Sequence, residues 1–189
     1  MSEGTDPRAH GALLLELTRR YCEPHRRYHG LVHIAELLEH GRSLDLDDDQ
    51  VWAIWFHDAI YDPRRDDNEA RSAELAVQRL RGIAWPEDGI QRVRRIVLDT
   101  CGHRASSEHS WKVLDLDLSP LAAPRERFEK NSRDLAEEYA HLDAQALREG
   151  RAKFAEAFLA RERLFYTPWG EKLEAQAREN LARLRDGLV

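Results

Sequence analysis

Apolar residues recur every three or four positions along most of the chain, which is the period of amphipathic helices. In the first such stretch, residues 9–21, the apolar face carries Leu13, Leu14, Leu17 and Tyr21. The same period predicts further helices over residues 31–40, 49–58, 68–82, 86–101, 107–118, 125–141, 143–165 and 167–185. No stretch of useful length alternates apolar and polar residues, so no strand is predicted. The pattern therefore predicts an all-α fold of eight or nine helices.

The length of 189 residues suits one domain, so we expect a single helical bundle over residues 1–189. No run of apolar residues is long enough to span a membrane, and residues 1–6 have neither a basic nor an apolar region typical of a signal peptide. We therefore expect a cytoplasmic protein that does not bind membranes. Cys22 and Cys101 have no paired spacing and are expected to be reduced, partly buried thiols without a functional role.

The net charge of -6 argues against an extended nucleic-acid footprint, because such partners are held mainly by excess positive charge. Trp52, Trp55 and Phe56 are accordingly predicted to be core residues and not a base-stacking platform. A local phosphate contact through arginines is compatible with this charge. The sequence does not discriminate between oligomeric states.

Residues 52–62 form an apolar segment interrupted by His57 and Asp58. Burial of an imidazole and a carboxylate among tryptophans costs several kcal/mol unless both are paired, and a divalent metal pairs with both at once. The alternative is a hydrogen-bonded pair that caps a core helix. Upstream, His29 and His33 are four residues apart, so on a helix they share one face, although such pairs are also common on surfaces.

Two further carboxylates, Asp115 and Asp117, lie in a later apolar helix. Residues two positions apart on a helix point about 200° away from each other, so only one of these can face a metal. Two imidazoles and two carboxylates would form a mixed nitrogen and oxygen site with room for water.

These segments resemble the HD-domain metal-dependent phosphohydrolases, whose pattern is a histidine, then consecutive His-Asp, then a distant Asp. The resemblance is to a bacterial subgroup of predicted phosphohydrolases, and it extends over residues 24–34, 55–63 and 67–73. Residues 28–33 also look like the Tyr-His-Asn-x-x-His stretch of cyclic nucleotide phosphodiesterases. Gly30 stands in place of that asparagine, which argues against assuming a cyclic nucleotide substrate.

The resemblance implies that His33, His57, Asp58 and Asp117 are metal ligands, with Asp117 preferred over Asp115, and that His29 donates a proton to the leaving oxygen. The ion would be Mn²⁺, Mg²⁺, Fe²⁺, Co²⁺ or Zn²⁺, which lowers the pKa of a bound water and binds a phosphoryl oxygen. The expected reaction is hydrolysis of a phosphate ester, and the expected partner is a nucleotide or a related small phosphomonoester or phosphodiester.

Several residues near these motifs have weaker signals. Arg26 and Arg27 are candidates for contact with the substrate phosphate. Asp62 and Glu69 could orient a water or a ligand histidine, but both also suit ordinary turn or helix-start positions. His103 lies where some HD proteins bind a second metal, although a loop histidine is more often solvated.

Two other functions stay open. Some HD-fold proteins are di-iron oxygenases, and a second iron bound by His103 would favour that chemistry. Alternatively, the chain could be a non-catalytic nucleotide-binding or interaction module with a structural metal site. His109 and His141 are predicted to be surface residues.

Overall fold

The structure is a computed structural model that describes residues 6–189, and residues 1–5, including most of the segment considered for a signal peptide, lie outside it. The described part contains ten α-helices and no strand, which confirms the all-α prediction. The helices are α1 (Pro7–Tyr21), α2 (Leu31–Gly41), α3 (Asp48–Phe56), α4 (Asn68–Gly82), α5 (Glu87–Thr100), α6 (Trp111–Leu118), α7 (Arg125–Glu138), α8 (Ala144–Leu159), α9 (Pro168–Glu171) and α10 (Glu174–Arg185). Short 3-10 segments, Glu108–Ser110 and Ser119–Ala122, flank α6.

Helix α3 lies at the centre of the main core and leads directly into His57. It begins with a capping box, in which the Asp47 side chain accepts from the backbone N–H of Gln50 while the Gln50 side chain accepts from the N–H of Asp47. The predicted core residues Trp52 and Phe56 are buried, and Trp55 packs against the core while half-buried. Full burial of one large apolar side chain contributes roughly 1.5–3 kcal/mol, so this packing fixes the end of α3 firmly.

Helices α2, α4, α5 and α6 contribute to the same core around α3. A second, smaller core lies where α8 packs on α10, and it contains Leu118 from the end of α6 together with Phe158 and Leu181. Helix α6 therefore contributes apolar side chains to both cores. This position allows it to connect the centre of the bundle with the C-terminal helices.

The C-terminal helices are shorter than their periodicity predicts. Helix α8 ends at Leu159 and not at residue 165, because backbone N–H groups further along donate to two distant carboxylates. The N–H of Leu164 donates to Glu174, and the N–H of Thr167 donates to Asp115. The predicted last helix is divided into α9 and α10.

Both cysteines are free and exposed, so the prediction that they are partly buried is wrong. Cys22 directly follows the last residue of α1 and Cys101 the last residue of α5, and the structure leaves both of these positions exposed. Within residues 6–189, no helix combines the length and apolar character needed to cross a membrane.

Candidate metal centre

Four side chains from three separate segments converge at one end of the bundle. His33 comes from α2, His57 and Asp58 directly follow α3, and Asp117 lies in α6. Asp117 Oδ1 is 3.3 Å from His33 Nε2 and 3.5 Å from His57 Nε2, and His57 Nε2 is 3.1 Å from Asp58 Oδ2. One ligand atom each from His33, His57 and Asp58 also lies within 4.8 Å of the other two. The structure thus brings together the four residues predicted to bind a metal.

Ring nitrogens of His33 and His57 are available to bind a cation. His57 Nε2 and both ring nitrogens of His33 are buried without a hydrogen-bond partner among residues 6–189. His57 Nδ1 lies 2.8 Å from the carbonyl oxygen of Ile54, which can only accept, so in the neutral imidazole Nδ1 carries the proton and Nε2 has the free lone pair. Buried polar atoms without partners are rare, and a neutral imidazole held in this tautomer is the form that binds metals. The donor set therefore fits a divalent cation.

The charges at the centre also suit a cation. Burial by itself raises the pKa of Asp58, but the neighbouring His57 outweighs it and holds the pKa of that carboxyl below its usual range. Burial alone would lower the pKa of His57. The negative charges of Asp58 and Asp117 outweigh burial and raise this pKa above its ordinary value. Two carboxylates that stay ionised in a buried site require positive charge beside them, which a divalent ion would supply.

Asp115 and Asp117 point in different directions, as their helical spacing predicts. Asp115 is fully buried, and its carboxylate accepts hydrogen bonds from the backbone N–H groups of Tyr166 and Thr167 and from the Thr167 hydroxyl at 2.7–2.8 Å. These contacts hold the loop before α9. Only Asp117 faces the histidines, so the geometry favours Asp117 as the metal-binding carboxylate.

His103 also lies at this centre. Its Nε2 is 2.9 Å from Asp117 Oδ2, on the opposite carboxylate oxygen from the one that faces His33. The backbone of His103 has φ 49°, an uncommon conformation for a residue with a side chain. Arg161 stabilises this turn by donating to the carbonyl oxygens of Gly102 and His103 at 2.7 and 3.0 Å. The predicted second-metal candidate is therefore held beside the site and is not a solvated loop residue.

His29 is held by a carboxylate that nothing in the sequence singles out, Glu138 at the end of α7. One Glu138 oxygen accepts from the backbone N–H groups of residues 27–29 at 2.7–3.0 Å. The other lies 2.7 Å from His29 Nδ1 and accepts from the Tyr61 hydroxyl at 2.7 Å. Because a carboxylate accepts, His29 Nδ1 carries a proton and Nε2 is the nitrogen available to other partners.

Burial and charge oppose each other at His29. Burial lowers its pKa, but Asp58 and the hydrogen bond to Glu138 outweigh burial and raise it. A histidine with a raised pKa is protonated over a wider pH range and can act as an acid. Burial alone would raise the pKa of Glu138, whereas its hydrogen bonds with His29 and Tyr61 lower it to about 2.

Arg26 was predicted to contact the substrate phosphate, but the structure places its guanidinium among protein acceptors. Its side chain is fully buried, and its guanidinium donates to the Glu23 carboxylate and to the carbonyl oxygens of His29, Asp58 and Ala59 at 2.7–3.2 Å. Since four of its five N–H donors are used in these bonds, Arg26 positions the turn that presents Asp58. Arg27 is exposed, lies 3.3 Å from Glu137 and is outside the lining of the cavity beside the metal centre.

Glu69 lies at the cavity beside the candidate metal centre, whereas Asp62 does not. Glu69, in the first turn of α4, lines the same cavity as Asp58 and His103. The Asp62 carboxylate accepts from the backbone N–H of Arg64 at 3.0 Å and does not line the cavity. Glu69 is therefore placed for contact with a ligand, and Asp62 serves the turn.

A cavity of about 480 Å³ begins at this centre and continues between α7 and α8. His29, Asp58, Glu69, His103 and Asp117 line its polar end. Its size is within the range of roughly 300–1,000 Å³ that is typical of small-molecule sites. The candidate metal centre thus opens onto a space large enough for a small molecule.

A second group of potential ligands, Asp47, Asp49 and His109, lies at the surface of the core. Asp49 accepts from Trp85 Nε1 at 2.7 Å and from Arg92 Nε at 2.6 Å, so it is already paired. His109 is partly exposed and His141 is exposed, in keeping with their prediction as surface residues.

Comparison with protein-family models, with curated proteins and with solved structures gave no match to this chain. The resemblance to HD-domain proteins therefore rests on the sequence segments 24–34, 55–63 and 67–73.

Proposed function

We propose that this protein is a divalent-metal-dependent phosphohydrolase of the HD type that acts on a small phosphate ester. The observation that carries the proposal is the set of buried imidazole nitrogens without partners, on His33 and His57, that face Asp58 and Asp117. A hydrogen-bonded structural pair would leave no such nitrogens. The adjoining cavity supplies the space that a substrate needs.

In this proposal His33, His57, Asp58 and Asp117 hold the ion, which would be Mn²⁺, Mg²⁺, Fe²⁺, Co²⁺ or Zn²⁺. When bound, the ion supplies activation of a water molecule for attack and neutralisation of charge on the phosphoryl group. Ile54 keeps His57 in the tautomer that can bind the ion. Arg26 fixes the turn of Asp58 through its carbonyl oxygen.

His29 donates the proton that the leaving oxygen needs. Its Nδ1 proton is held by Glu138, so the proton transferred is the one on Nε2. Glu138 also stabilises the positive charge that His29 carries before transfer. Glu69 is the remaining acidic residue at the cavity and can accept a hydrogen bond from a water or from a substrate hydroxyl.

The test combines metal analysis of protein purified without chelator with a hydrolysis screen of nucleotides and generic phosphate esters in Mn²⁺, Mg²⁺ and Co²⁺. We expect bound metal and hydrolysis in the unmodified protein, and loss of both in His33→Ala and in Asp58→Ala. His40→Ala is a matched control, because His40 is exposed on the same helix and lies outside the cavity lining. Full activity in the double variant His33→Ala, Asp58→Ala would refute the proposal.

One observation favours a second function, that of an HD-type di-iron oxygenase. His103 lies 2.9 Å from Asp117, where it could serve a second ion. Two tightly bound irons, one of which is lost in His103→Ala, would favour the oxygenase. One exchangeable ion that survives this substitution would favour the hydrolase. Inactivity of metal-loaded protein on every ester tested would instead favour a non-catalytic nucleotide-binding or interaction module.

A further inference from the structure

The part of the cavity away from the metal centre has apolar walls. We call this part, which Leu121, Phe128, Leu135, Leu142, Leu147 and Phe154 line between α7 and α8, the apolar chamber. Leu142 and Phe154 are 39% and 41% exposed, although both are large apolar side chains. Apolar surface left accessible inside a concave site is typical of ligand binding.

The apolar chamber also contains polar side chains. Asn131 and Ser132, both on α7, line it and are each only 6% exposed. The Ser132 hydroxyl is buried without a hydrogen-bond partner among residues 6–189, and the Asn131 side chain lies beside it on the same wall. Because unpaired buried polar groups are costly, their presence in a cavity indicates a ligand that pairs with them.

Arg151 of α8 lines the same chamber. Its guanidinium donates to the Ser132 carbonyl oxygen, and no carboxylate within residues 6–189 forms an ion pair with it. Burial lowers its pKa, as expected for a cation whose charge is not neutralised by a neighbour. A cation in this position can bind an acceptor oxygen of a ligand, preferably an anionic one.

We propose that the substrate is a phosphate ester whose organic group is apolar and ends in an acceptor such as a carboxylate. The apolar chamber binds the organic group, and Arg151 with Asn131 binds the acceptor. This inference rests on the proposed hydrolase, since the phosphate is placed at the metal centre. A nucleotide fits less well, because the apolar walls offer few partners for sugar hydroxyls, and burial of unpaired hydroxyls is unfavourable.

The first experiment compares butyl, hexyl and octyl phosphate with glycerol phosphate and adenosine monophosphate in the metal-loaded protein. We expect KM to fall as the chain lengthens, by up to about fourfold for each buried methylene, until the chamber is filled. Calorimetric binding of octylphosphonate, which cannot be hydrolysed, gives a readout that does not depend on activity.

The substitution Gly150→Trp tests whether the organic group binds in the apolar chamber. Gly150 lines the chamber, and a Cβ placed there meets no atom within 4 Å, so a large side chain can enter without displacing the helix. We expect this variant to lose the dependence on chain length and to bind octylphosphonate at least about tenfold more weakly, while glycerol phosphate hydrolysis and metal content stay unchanged. Gly150→Ala is the matched control and should bind like the unmodified protein.

The substitution Arg151→Met tests whether Arg151 binds the acceptor group of the ligand. The ω-carboxy derivative of octyl phosphate should bind the unmodified protein about tenfold more tightly than octyl phosphate, as expected for a hydrogen bond to a charged group. Arg151→Met should remove this difference and keep the binding of plain octyl phosphate.

The outcomes separate the two proposals. Hydrolysis of glycerol phosphate or adenosine monophosphate as efficiently as octyl phosphate would overturn the inference and leave the hydrolase intact. Binding of octylphosphonate that is sensitive to Gly150→Trp, without hydrolysis of any ester, would support the chamber as an apolar site and count against the hydrolase. Failure of octylphosphonate to bind would overturn the inference.

Discussion

Replacement of Glu138 by glutamine removes one negative charge from the residue that organises the loop around His29. The carboxylate accepts five hydrogen bonds, three from the backbone of residues 27–29, one from His29 Nδ1 and one from the Tyr61 hydroxyl. The glutamine carbonyl oxygen can still accept from the three backbone N–H groups. Its amide nitrogen, however, is a donor and meets two groups that also donate.

Two estimates of the stability loss agree. Hydrogen bonds to charged groups contribute roughly 1.5–3 kcal/mol each, and at least one of the two side-chain bonds is lost outright. Independently, the pKa of Glu138 falls from an ordinary 4.5 to about 2, and this difference corresponds to ~3 kcal/mol between the ionised and protonated forms. We therefore expect Glu138→Gln to lower the free energy of unfolding near pH 7 by about 3 kcal/mol.

The pH dependence of folding stability follows from the same lowered pKa of Glu138. Because the pKa of Glu138 is lowered by folding, its contribution is complete above about pH 4.5 and is lost as the pH falls toward 2. The unmodified protein should lose about 3 kcal/mol more stability across this interval than Glu138→Gln does. Denaturant unfolding at several pH values between 2 and 7 measures the difference.

The same substitution should separate activity from metal binding. Without an acceptor at Nδ1, His29 is free to change its tautomer and orientation, so we expect hydrolysis to fall by about 10²–10⁴-fold. No hydrogen bond of Glu138 involves a proposed metal ligand, so metal content should not change. Glu137→Gln is the matched control, because that neighbouring carboxylate is 62% exposed and forms a surface ion pair with Arg27. Unmodified stability and activity in Glu138→Gln would refute the assigned role.

Three further predictions concern the metal centre and its surroundings. Asp117→Asn should reduce metal content, whereas Asp115→Asn should keep the metal and lower the unfolding free energy by roughly 1–3 kcal/mol; metal analysis of both variants and denaturant unfolding of Asp115→Asn check this. Gly170→Ala should cost about 1–3 kcal/mol, because the new Cβ would lie 2.6 Å from Phe165 Cβ, and Gly82→Ala, where nothing lies within 4 Å, should cost nothing measurable by thermal unfolding. Removal of metal by a chelator should lower Tm, and free Mn²⁺ at about 100 times its Kd should restore roughly 2.7 kcal/mol of stability.

The convergence of the four candidate metal ligands, His33, His57, Asp58 and Asp117, could be predicted from the sequence for a physical reason. His57 and Asp58 interrupt an apolar segment, and polar groups in such a position need partners wherever the segment is buried. Helical spacing also indicates that Asp115 and Asp117 diverge, and the structure has them on different faces of α6. Both arguments depend on residues that are close together in the sequence, so a single sequence is enough to make them.

Arg26 and Glu138 could not be predicted in the same way. Arg26 lies in a polar, basic loop typical of solvated residues, and its burial depends on carbonyl oxygens of residues 58 and 59. Glu138 accepts from backbone N–H groups more than one hundred residues earlier in the chain, and such groups are present at almost every residue type. Contacts of side chains with a distant backbone leave no pattern in the sequence.

The ends of the C-terminal helices have a similar cause, and they connect the metal centre with the apolar chamber. Helical periodicity continues beyond Leu159, but Asp115 binds the backbone of residues 166–167 and so ends the helical path. Asp115 and Asp117 belong to the same two turns of α6, one facing the loop before α9 and the other facing the histidines. Because α10 follows this loop and packs on α8, Asp115 sets the position of the chamber wall relative to the metal. Asp115→Asn should therefore weaken the binding of octylphosphonate more than it weakens the binding of inorganic phosphate, and equal loss for both probes would show that the chamber is positioned independently of α6.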